Sequence, residues 1–219
     1  MNDTCTMTSR TRVRRIPDRA SYDREAIYNT IDQAFMGTIA FYDGENAHAI
    51  PTAIWREGSQ LYIHGSNGSR LLKHLQTGAE VCVSITNMHG LVLARSAFHH
   101  SMNYSSVCIY GSFAVALEKN KNQHMQGFLE HWMPGRWQHV RQPNKNELAA
   151  TTIMYISLEE AVAKARQGGP KDDSDDMNQQ VWAGVIPLEL TWQTPQQAPE
   201  QMNADLPGTV ILTNAGTTG

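Results

Sequence analysis

The stretch TIAFYDGENAHAIPTAIWREGSQLYIHGS, residues 38–66, decides the fold of this chain. It reads as three short runs in which apolar and polar residues alternate, the pattern of half-buried strands. Asp43-Gly44 and Glu57-Gly58 lie between the runs, and both dipeptides are typical of tight hairpin turns. The stretch therefore predicts three antiparallel strands in hairpin order.

Short helices are predicted around these strands, over residues 22–37, 69–78 and 120–133. Apolar side chains recur at helical spacing in all three. Ser21 is the expected N-cap of the first helix, and Gly78 ends the second.

Further strands are predicted over residues 80–86, 90–94, 106–117 and 181–192, together with a segment over 150–166 that starts as a strand and can turn helical. Six or seven strands in hairpin order favour a mainly β, antiparallel barrel over an alternating βαβ sheet. The glycine-rich, charged residues 168–176 read as a solvated loop. We expect an N-terminal arm over residues 1–20, one domain over 21–195 and a loosely ordered tail over 196–219.

The composition limits the classes of protein that the chain can represent. With 219 residues, the chain can bury a core of its own. The formal charge of −3 and the pI near 6.3 argue against a broad nucleic-acid surface. No apolar run approaches the ~20 residues of a membrane-spanning helix. The three cysteines are widely spaced, which fits a reducing compartment, and we expect a cytoplasmic protein.

The segment LYIHGSNGSRLLKHL, residues 61–75, carries the strongest local signal. A strand runs into a Gly/Ser loop, and a helix begins near Ser69. The N–H groups and positive dipole at a helix start attract anions. Ser66 and Ser69 add hydroxyls, Arg70 adds a forked cation suited to phosphate, and Lys73 lies on a nearby helical face. Neither a Walker A loop nor a G-x-G-x-x-G motif is present, so a phosphate site and an ordinary capped helix both stay open.

The segment LARSAFHHSMNYSSV, residues 93–107, is rich in hydrogen-bonding side chains. His99 and His100 are adjacent, so their side chains diverge in a strand and in a helix. No H-E-x-x-H motif or spaced Cys/His set occurs, and no G-x-S-x-G elbow indicates a serine hydrolase. We expect no metal site and predict that this segment forms the wall of a pocket.

Five motifs in order resemble the FMN-binding split-barrel family related to pyridoxamine 5'-phosphate oxidase, in particular its flavin-nucleotide-binding branch with nitroimidazole-resistance proteins. They are RRIPDRASYD (14–23), YIHGSNGSRLLKHL (62–75), LVLARSAFHHSMNYSSVCIYG (91–111), EHWMPGRW (130–137) and VWAGVIPLEL (181–190). The resemblance covers roughly residues 11–192. It implies a six-stranded antiparallel split β-barrel that works as a homodimer, with FMN at the subunit interface.

The resemblance also implies a set of FMN contacts. A strand backbone lies beside the isoalloxazine ring, the next strand and helix start hold the phosphate, and a later strand and a tryptophan complete the groove. In this chain the ring-side residues are Pro51, Thr52 and Ala53, the phosphate-side residues are Tyr62, His64, Ser66, Ser69, Arg70 and Lys73, and the remaining contacts are Asn103, Ser106 and Trp192.

The chain departs from the pyridoxamine-phosphate oxidases at three positions of the pattern. Leu71 stands where they have a Lys after Ser-Arg, so that Lys73 can replace it only in part. Ser105-Ser106-Val107 stands where they have Arg-Gln-Val, and residues 193–200 lack their Arg-Leu-His motif. These departures argue against oxidation of vitamin B6 phosphates and leave FMN binding intact.

Three functional hypotheses follow. The first is an FMN-dependent oxidoreductase of undefined substrate, in which the flavin carries the redox chemistry. The second is a flavin-binding or storage module without turnover. The third keeps the barrel but uses haem or a deazaflavin in place of FMN.

Overall fold

A computed structural model describes residues 3–198, which form eleven strands and four α-helices. The elements are, in order, β1 (Ala20–Ser21), α1 (Arg24–Asp32), β2 (Met36–Tyr42), β3 (Ala47–Ala53), β4 (Trp55–Glu57), β5 (Gln60–Ser66), α2 (Arg70–Leu75), β6 (Glu80–Leu93), β7 (Ser101–Ser112), β8 (Ala114–Val115), α3 (Lys121–Trp132), α4 (Lys145–Ala150), β9 (Thr151–Ser157), β10 (Ala161–Arg166) and β11 (Gly184–Pro187).

The strands build two antiparallel sheets. The larger sheet has the order β1-β10-β7-β6-β2-β3, with β11 paired to β6, and the smaller has the order β4-β5-β9-β8. The chain passes between the sheets four times, and two of these passages are made at single buried residues, Ile54 between β3 and β4 and Phe113 between β7 and β8. This is the predicted mainly β, antiparallel split barrel, with more strands than the six expected.

The barrel core lies between the two sheets and is closed by α1 and α2. Ile39, Val83, Ile109 and Ile156 each have at most 1% of their surface exposed. Alternation along β5 sends Leu61 into this core and Tyr62 to the opposite side of the sheet. Tyr62 there joins a second cluster with Trp55, Ala116 and Ile153, against which Phe128 of α3 packs.

Several local predictions are confirmed. Gly44 and Gly58 adopt positive φ angles of 101° and 58° in the turns after β2 and β4, as the hairpin dipeptides require. Ser69 caps α2 through its side chain, which accepts a hydrogen bond from the N–H of Leu72. The helix predicted over 120–133 is α3.

Other local predictions are wrong. Asp23, not Ser21, caps α1. The two strands expected over 80–94 are one strand, β6, with a bulge between Met88 and Gly90. Residues 150–166 form no helix after their first strand but turn back as β10, which pairs with β7. The last strand is short, because only residues 184–187 pair with β6.

The N-terminal arm packs against the domain. Cys5 and Thr11 are buried, and the backbone of Thr6 bonds to the carbonyl of Glu159. Of the tail expected over 196–219, the part beyond residue 198 lies outside the described residues. Among the described helices, none combines the length and apolar character that a membrane crossing requires.

Candidate functional site

The loop between β5 and α2 is fixed by hydrogen bonds at both ends. Oγ of Ser66 accepts from the N–H of Gly68 at 3.2 Å, and Oγ of Ser69 accepts from the N–H of Leu72 at 3.5 Å. The side chain of Asn67 donates to the carbonyl of Ala149 at 2.7 Å. The predicted phosphate loop therefore has a defined shape, with its two serines held near the chain reversal.

Arg70 is held by a neutral partner. Its Nη2 donates to Nδ1 of His48 at 3.2 Å, and Nε2 of His48 lies 2.6 Å from Oδ2 of Asp43. A guanidinium can only donate, so Nδ1 accepts and Nε2 carries the proton shared with Asp43. Hydrogen bonds from the N–H groups of Asn46 and Glu45, and then from His48, keep the pKa of the Asp43 carboxyl well below its usual range. Among residues 3–198, no carboxylate pairs with Arg70.

Strand β3 offers a free backbone edge. It pairs with β2 on one side, and the other side has no strand partner among the described residues. The N–H of Ile54 donates to the carbonyl of Phe35 at 3.2 Å, and the alternation of such bonds turns the backbone of Ala53 and Pro51 toward the free edge. Proline lacks an N–H and is tolerated at such outward positions. The structure thus brings Pro51, Thr52 and Ala53 together as one strip.

Tyr62 contacts the cluster beneath α3. Its ring stacks on Trp55 with centroids 5.5 Å apart and lies 4.7 Å from the ring of His124. Its hydroxyl donates to Oε1 of Gln60 at 2.6 Å. Burial, followed by the negative charge of Glu57, raises the pKa of Tyr62 to about 12. These contacts lie on the α3 side of the sheet, apart from the Arg70–His48 pair.

His64 is an imidazole without a hydrogen-bond partner among the described residues. Its Nδ1 is buried and unpaired. Its ring lies 4.4 Å from that of Phe128 and 5.8 Å from that of Trp55, measured between centroids. Burial lowers the pKa of His64 below its ordinary value of 6.5, so the ring is neutral at pH 7. An unsatisfied buried nitrogen is costly, so Nδ1 of His64 is available to a ligand, and Nε2 of His74 and Nε of Arg95 are likewise unpaired among the described residues.

A row of aromatic rings connects His64 to Trp192. Phe128 lies 5.0 Å from Trp132, Trp132 lies 6.0 Å from Phe35, and Phe35 lies 5.5 Å from Trp192. Beside this row is a cavity of about 320 Å³ lined by Phe35, Leu129, Trp132, Met133, Arg136 and Trp192. Phe35 also accepts the hydrogen bond that ends the β2–β3 pairing. Trp192 therefore lies near the Ala53 end of β3 in its own chain.

Asn103 and Ser106 lie on β7, which β6 and β2 separate from β3 in the sheet. Oδ1 of Asn103 accepts from Nη1 of Arg166 at 2.5 Å. Oγ of Ser106 donates to the carbonyl of Lys164 at 3.1 Å. Within one chain the fold does not bring these two side chains to the Arg70 loop.

Lys73 and His99 lie in different parts of the fold. Lys73 is exposed on α2. Nε2 of His99 lies 3.2 Å from Oδ2 of Asp173, and ligand atoms of His99, Asp173 and Asp176 lie within 4.8 Å of one another. The absence of a metal site stays a prediction.

The loop over 168–176 is anchored to the domain. Asp172 pairs with Arg95 at 2.8 Å, and the side chain of Asp172 is only 3% exposed, so the loop is not freely solvated.

Sequence reasoning missed His48 and Asp43, which position Arg70. The sequence carries a signal for this contact, because Asp43 and His48 lie on the two sides of the hairpin turn, five residues apart, where their side chains can meet. Phe35 and Phe128 were missed as well, because only tertiary packing brings a residue before β2 and one on α3 into a single row.

The chain also matches a family model and several solved structures. The family model described as pyridoxamine 5'-phosphate oxidase matches residues 23–165. The chain belongs to this family of split-barrel proteins.

Two solved structures are similar over nearly their whole length. The flavocytochrome Anf3 from Azotobacter vinelandii is 31% identical, with 93% of this chain and 95% of that chain covered and a TM-score of 0.88. The FAD and heme binding protein from Mycobacterium smegmatis is 32% identical, with 88% and 95% covered and a TM-score of 0.85.

A third structure shows the fold alone. A proposed 5-nitroimidazole antibiotic resistance protein from Bacteroides thetaiotaomicron is 18% identical, with 67% of this chain and 86% of that chain covered and a TM-score of 0.57. No curated protein matches the chain.

Proposed function

We propose that the chain is a flavin-dependent redox protein with the flavin lying along the free edge of β3. The observation that carries this proposal is the arrangement of Arg70 at one end of that edge with only a neutral partner, His48. From His48 to Ala53 the strand advances five residues, about 17 Å at ~3.3 Å per residue. This is close to the length of an extended flavin mononucleotide.

In this arrangement each group of predicted residues has a distinct task. Arg70 neutralises the phosphate, and the hydroxyls of Ser66 and Ser69 lie in the adjoining loop. The outward backbone groups of Pro51 and Ala53 face the planar ring. The bound flavin would supply the hydride or electron chemistry, while the chain orients it and shields it from water.

The flavin that we predict from sequence is FMN. The Mycobacterium smegmatis relative is described as binding FAD, which contains the FMN moiety and would use the same ring and phosphate contacts. Both flavins therefore fit the proposed site. The mass of the flavin released from the purified protein decides between them and would also reveal a deazaflavin.

We propose further that the protein is a cytoplasmic homodimer. Three exposed apolar side chains are neighbours across strands β7, β6 and β11: Met102 pairs with Leu91, and Leu91 with Ile186. Each is 44–48% exposed. A contiguous apolar strip of this kind is typical of an interface. Ser106 lies on the same face of β7 as Met102, so a second copy on this strip can bring its Ser106 toward the flavin, whereas Asn103 lies on the opposite face, bonded to Arg166. The cysteines at 5, 82 and 108 are free thiols, in keeping with a reducing compartment.

Haem as an additional group is the second candidate, and the orphan imidazole of His64 favours it. A haem iron needs an unprotonated imidazole nitrogen, and burial keeps the ring of His64 neutral. Arg136, which has no carboxylate partner among the described residues, lines the aromatic cavity near Trp132. A cation there suits a haem propionate. Two similar structures are described as a flavocytochrome and as a FAD and heme binding protein.

The visible spectrum of freshly purified protein tests both proposals. We expect the absorption bands of an oxidised flavin, and a Soret band if haem is bound. A His64→Gln variant should lose the Soret band and keep the flavin. A colourless protein that takes up neither FMN nor FAD would refute the flavin proposal. A loaded protein that no pyridine nucleotide or other donor reduces faster than free flavin would instead be a storage module.

A further inference from the structure

We propose a second anion site, in which a cavity between the N-terminal arm and the end of β10 binds the phosphate group of a small molecule. The cavity has a volume of about 490 Å³ and is lined by residues of the arm, β1 and the segment 165–171. It shares no lining residue with the Arg70 loop. The inference does not depend on the flavin proposal.

The central feature of this cavity is a buried arginine without a carboxylate partner. Arg166 is only 7% exposed. Its Nη1 donates to Oδ1 of Asn103 at 2.5 Å and to the carbonyl of Gly168 at 3.0 Å, and its Nη2 donates to the carbonyl of Gly169 at 2.9 Å. All three acceptors are neutral, so they orient the guanidinium without balancing its charge.

Arg166 keeps donors for a ligand. A guanidinium has five N–H groups, and three of those on Arg166 are engaged. The Nε–H and one Nη2–H have no partner among the described residues, and a phosphate can accept from both at once. Burial, followed by the charge of Arg19, lowers the pKa of Arg166, which is the direction expected for a cation that lacks a counterion.

The charge around the cavity matches a phosphate monoester. Arg19, Arg166 and Lys171 line it together with one carboxylate, Asp18, which leaves two positive charges in excess. No ion pair joins these four side chains in the described part of the chain. A phosphate monoester carries a charge of about −1.5 to −2 at pH 7 and would neutralise that excess. The volume of the cavity exceeds a bare phosphate and leaves room for an attached organic group.

The backbone of the arm is strained at the same place. Ile16 lines the cavity and has φ 54° and ψ 64°. It is the one non-glycine residue with positive φ in the range 3–198. A β-branched residue is strongly disfavoured in this region, and such conformations concentrate where a segment contacts a ligand. The strained turn therefore lies in the wall of the same cavity.

The test is titration calorimetry of the full-length protein at low ionic strength, with inorganic phosphate and ribose 5-phosphate as probes. We expect saturable binding of at least one probe. Arg19→Gln and Lys171→Gln should each weaken it on the order of tenfold, the loss of one charge-assisted contact. Arg14→Gln, which removes an exposed arginine of the same arm that does not line the cavity, should leave affinity unchanged.

The two probes distinguish the source of the phosphate. Tighter binding of ribose 5-phosphate than of inorganic phosphate would indicate an organic phosphate ester, and equal binding would indicate the free ion; either supports the site. Three results would overturn it: no saturable binding of either probe, equal losses in Arg14→Gln and Arg19→Gln, or loss in Arg70→Gln without loss in Arg19→Gln. None of these results bears on flavin retention, which is measured separately by absorbance.

Discussion

Replacement of Arg70 by Gln should weaken flavin binding without unfolding the protein. The substitution removes the cation that the structure places at one end of β3 and keeps a side chain that can still donate to His48. The Arg70–His48 hydrogen bond is exposed and joins a cation to a neutral ring, so its loss should change the free energy of unfolding by less than ~1 kcal/mol.

The magnitude of the affinity loss follows from the exposure of the site. Charge-assisted hydrogen bonds contribute about 1.5–3 kcal/mol when they are shielded. Arg70 is exposed in the free chain, so solvent screening reduces the expected loss to about 1–2 kcal/mol. That corresponds to roughly a 5- to 30-fold rise in Kd.

The assay is quenching of flavin fluorescence as apo-protein is titrated into FMN, at low and at high salt. Arg70→Lys should recover part of the affinity, because it restores the charge but not the fork. Lys119→Gln removes an exposed cation from the segment before α3 and serves as the control. A Kd within twofold of the original in Arg70→Gln, with unchanged salt dependence, would remove Arg70 from the phosphate site.

Three further predictions concern the frame around the site. A Cβ on Gly90 would lie 2.6 Å from the carbonyl oxygen of Ile186, so Gly90→Ala should push β11 off β6 and cost about 1–3 kcal/mol; thermal unfolding checks this, with Gly169→Ala, whose Cβ meets nothing, as the neutral control. Burial lowers the pKa of His64. Below pH 6.5, the ordinary pKa of histidine, the unfolded chain therefore binds a proton that the folded chain does not, and the free energy of unfolding decreases as the pH is lowered. The Tm of apo His64→Gln should therefore decline less between pH 7 and pH 5.5, and an equal decline would show that His64 is not the titrating group. Leu91→Glu puts a charge into the exposed apolar strip and should shift the protein toward monomer in sedimentation, whereas Lys119→Glu should not; a dimer that persists in Leu91→Glu places the interface elsewhere.

Features set by local chemistry could be predicted from the sequence. The hairpin turns at Gly44 and Gly58 need positive φ, and glycine supplies it at no steric cost. The start of α2 at Ser69 follows from a side chain that can accept a hydrogen bond from a free N–H. Both features depend on residues within a few positions of one another, and so did the recognition of Ser66, Ser69 and Arg70 as an anion-binding loop.

Features set by partners far away in the chain could not be predicted. The composition of AVAKAR, residues 161–166, favours a helix, yet its pairing with β7 makes the segment a strand. Asn87 and His89 make the middle of β6 look like a polar break, yet their side chains bond to Thr30 and Ser105 and the strand continues through a bulge. The sequence also does not reveal that Nδ1 of His64 is left unpaired, because that depends on the packing of α3.

The arginines show why tertiary partners matter for function. Five of them bond to carboxylates of the chain: Arg10, Arg24, Arg56, Arg95 and Arg141. Their charge is already balanced, which suits a structural role. Arg70 and Arg166 instead bond to an imidazole, an amide and backbone carbonyls, which orient the guanidinium without a direct carboxylate contact. The local sequence does not separate these two sets, since Arg95, which pairs with a carboxylate, and Arg70, which does not, both lack an acidic residue within nine positions. An arginine that is oriented by neutral groups but not neutralised is the one prepared to bind an external anion, and in this fold the two such residues lie at the two sites proposed to hold a phosphate.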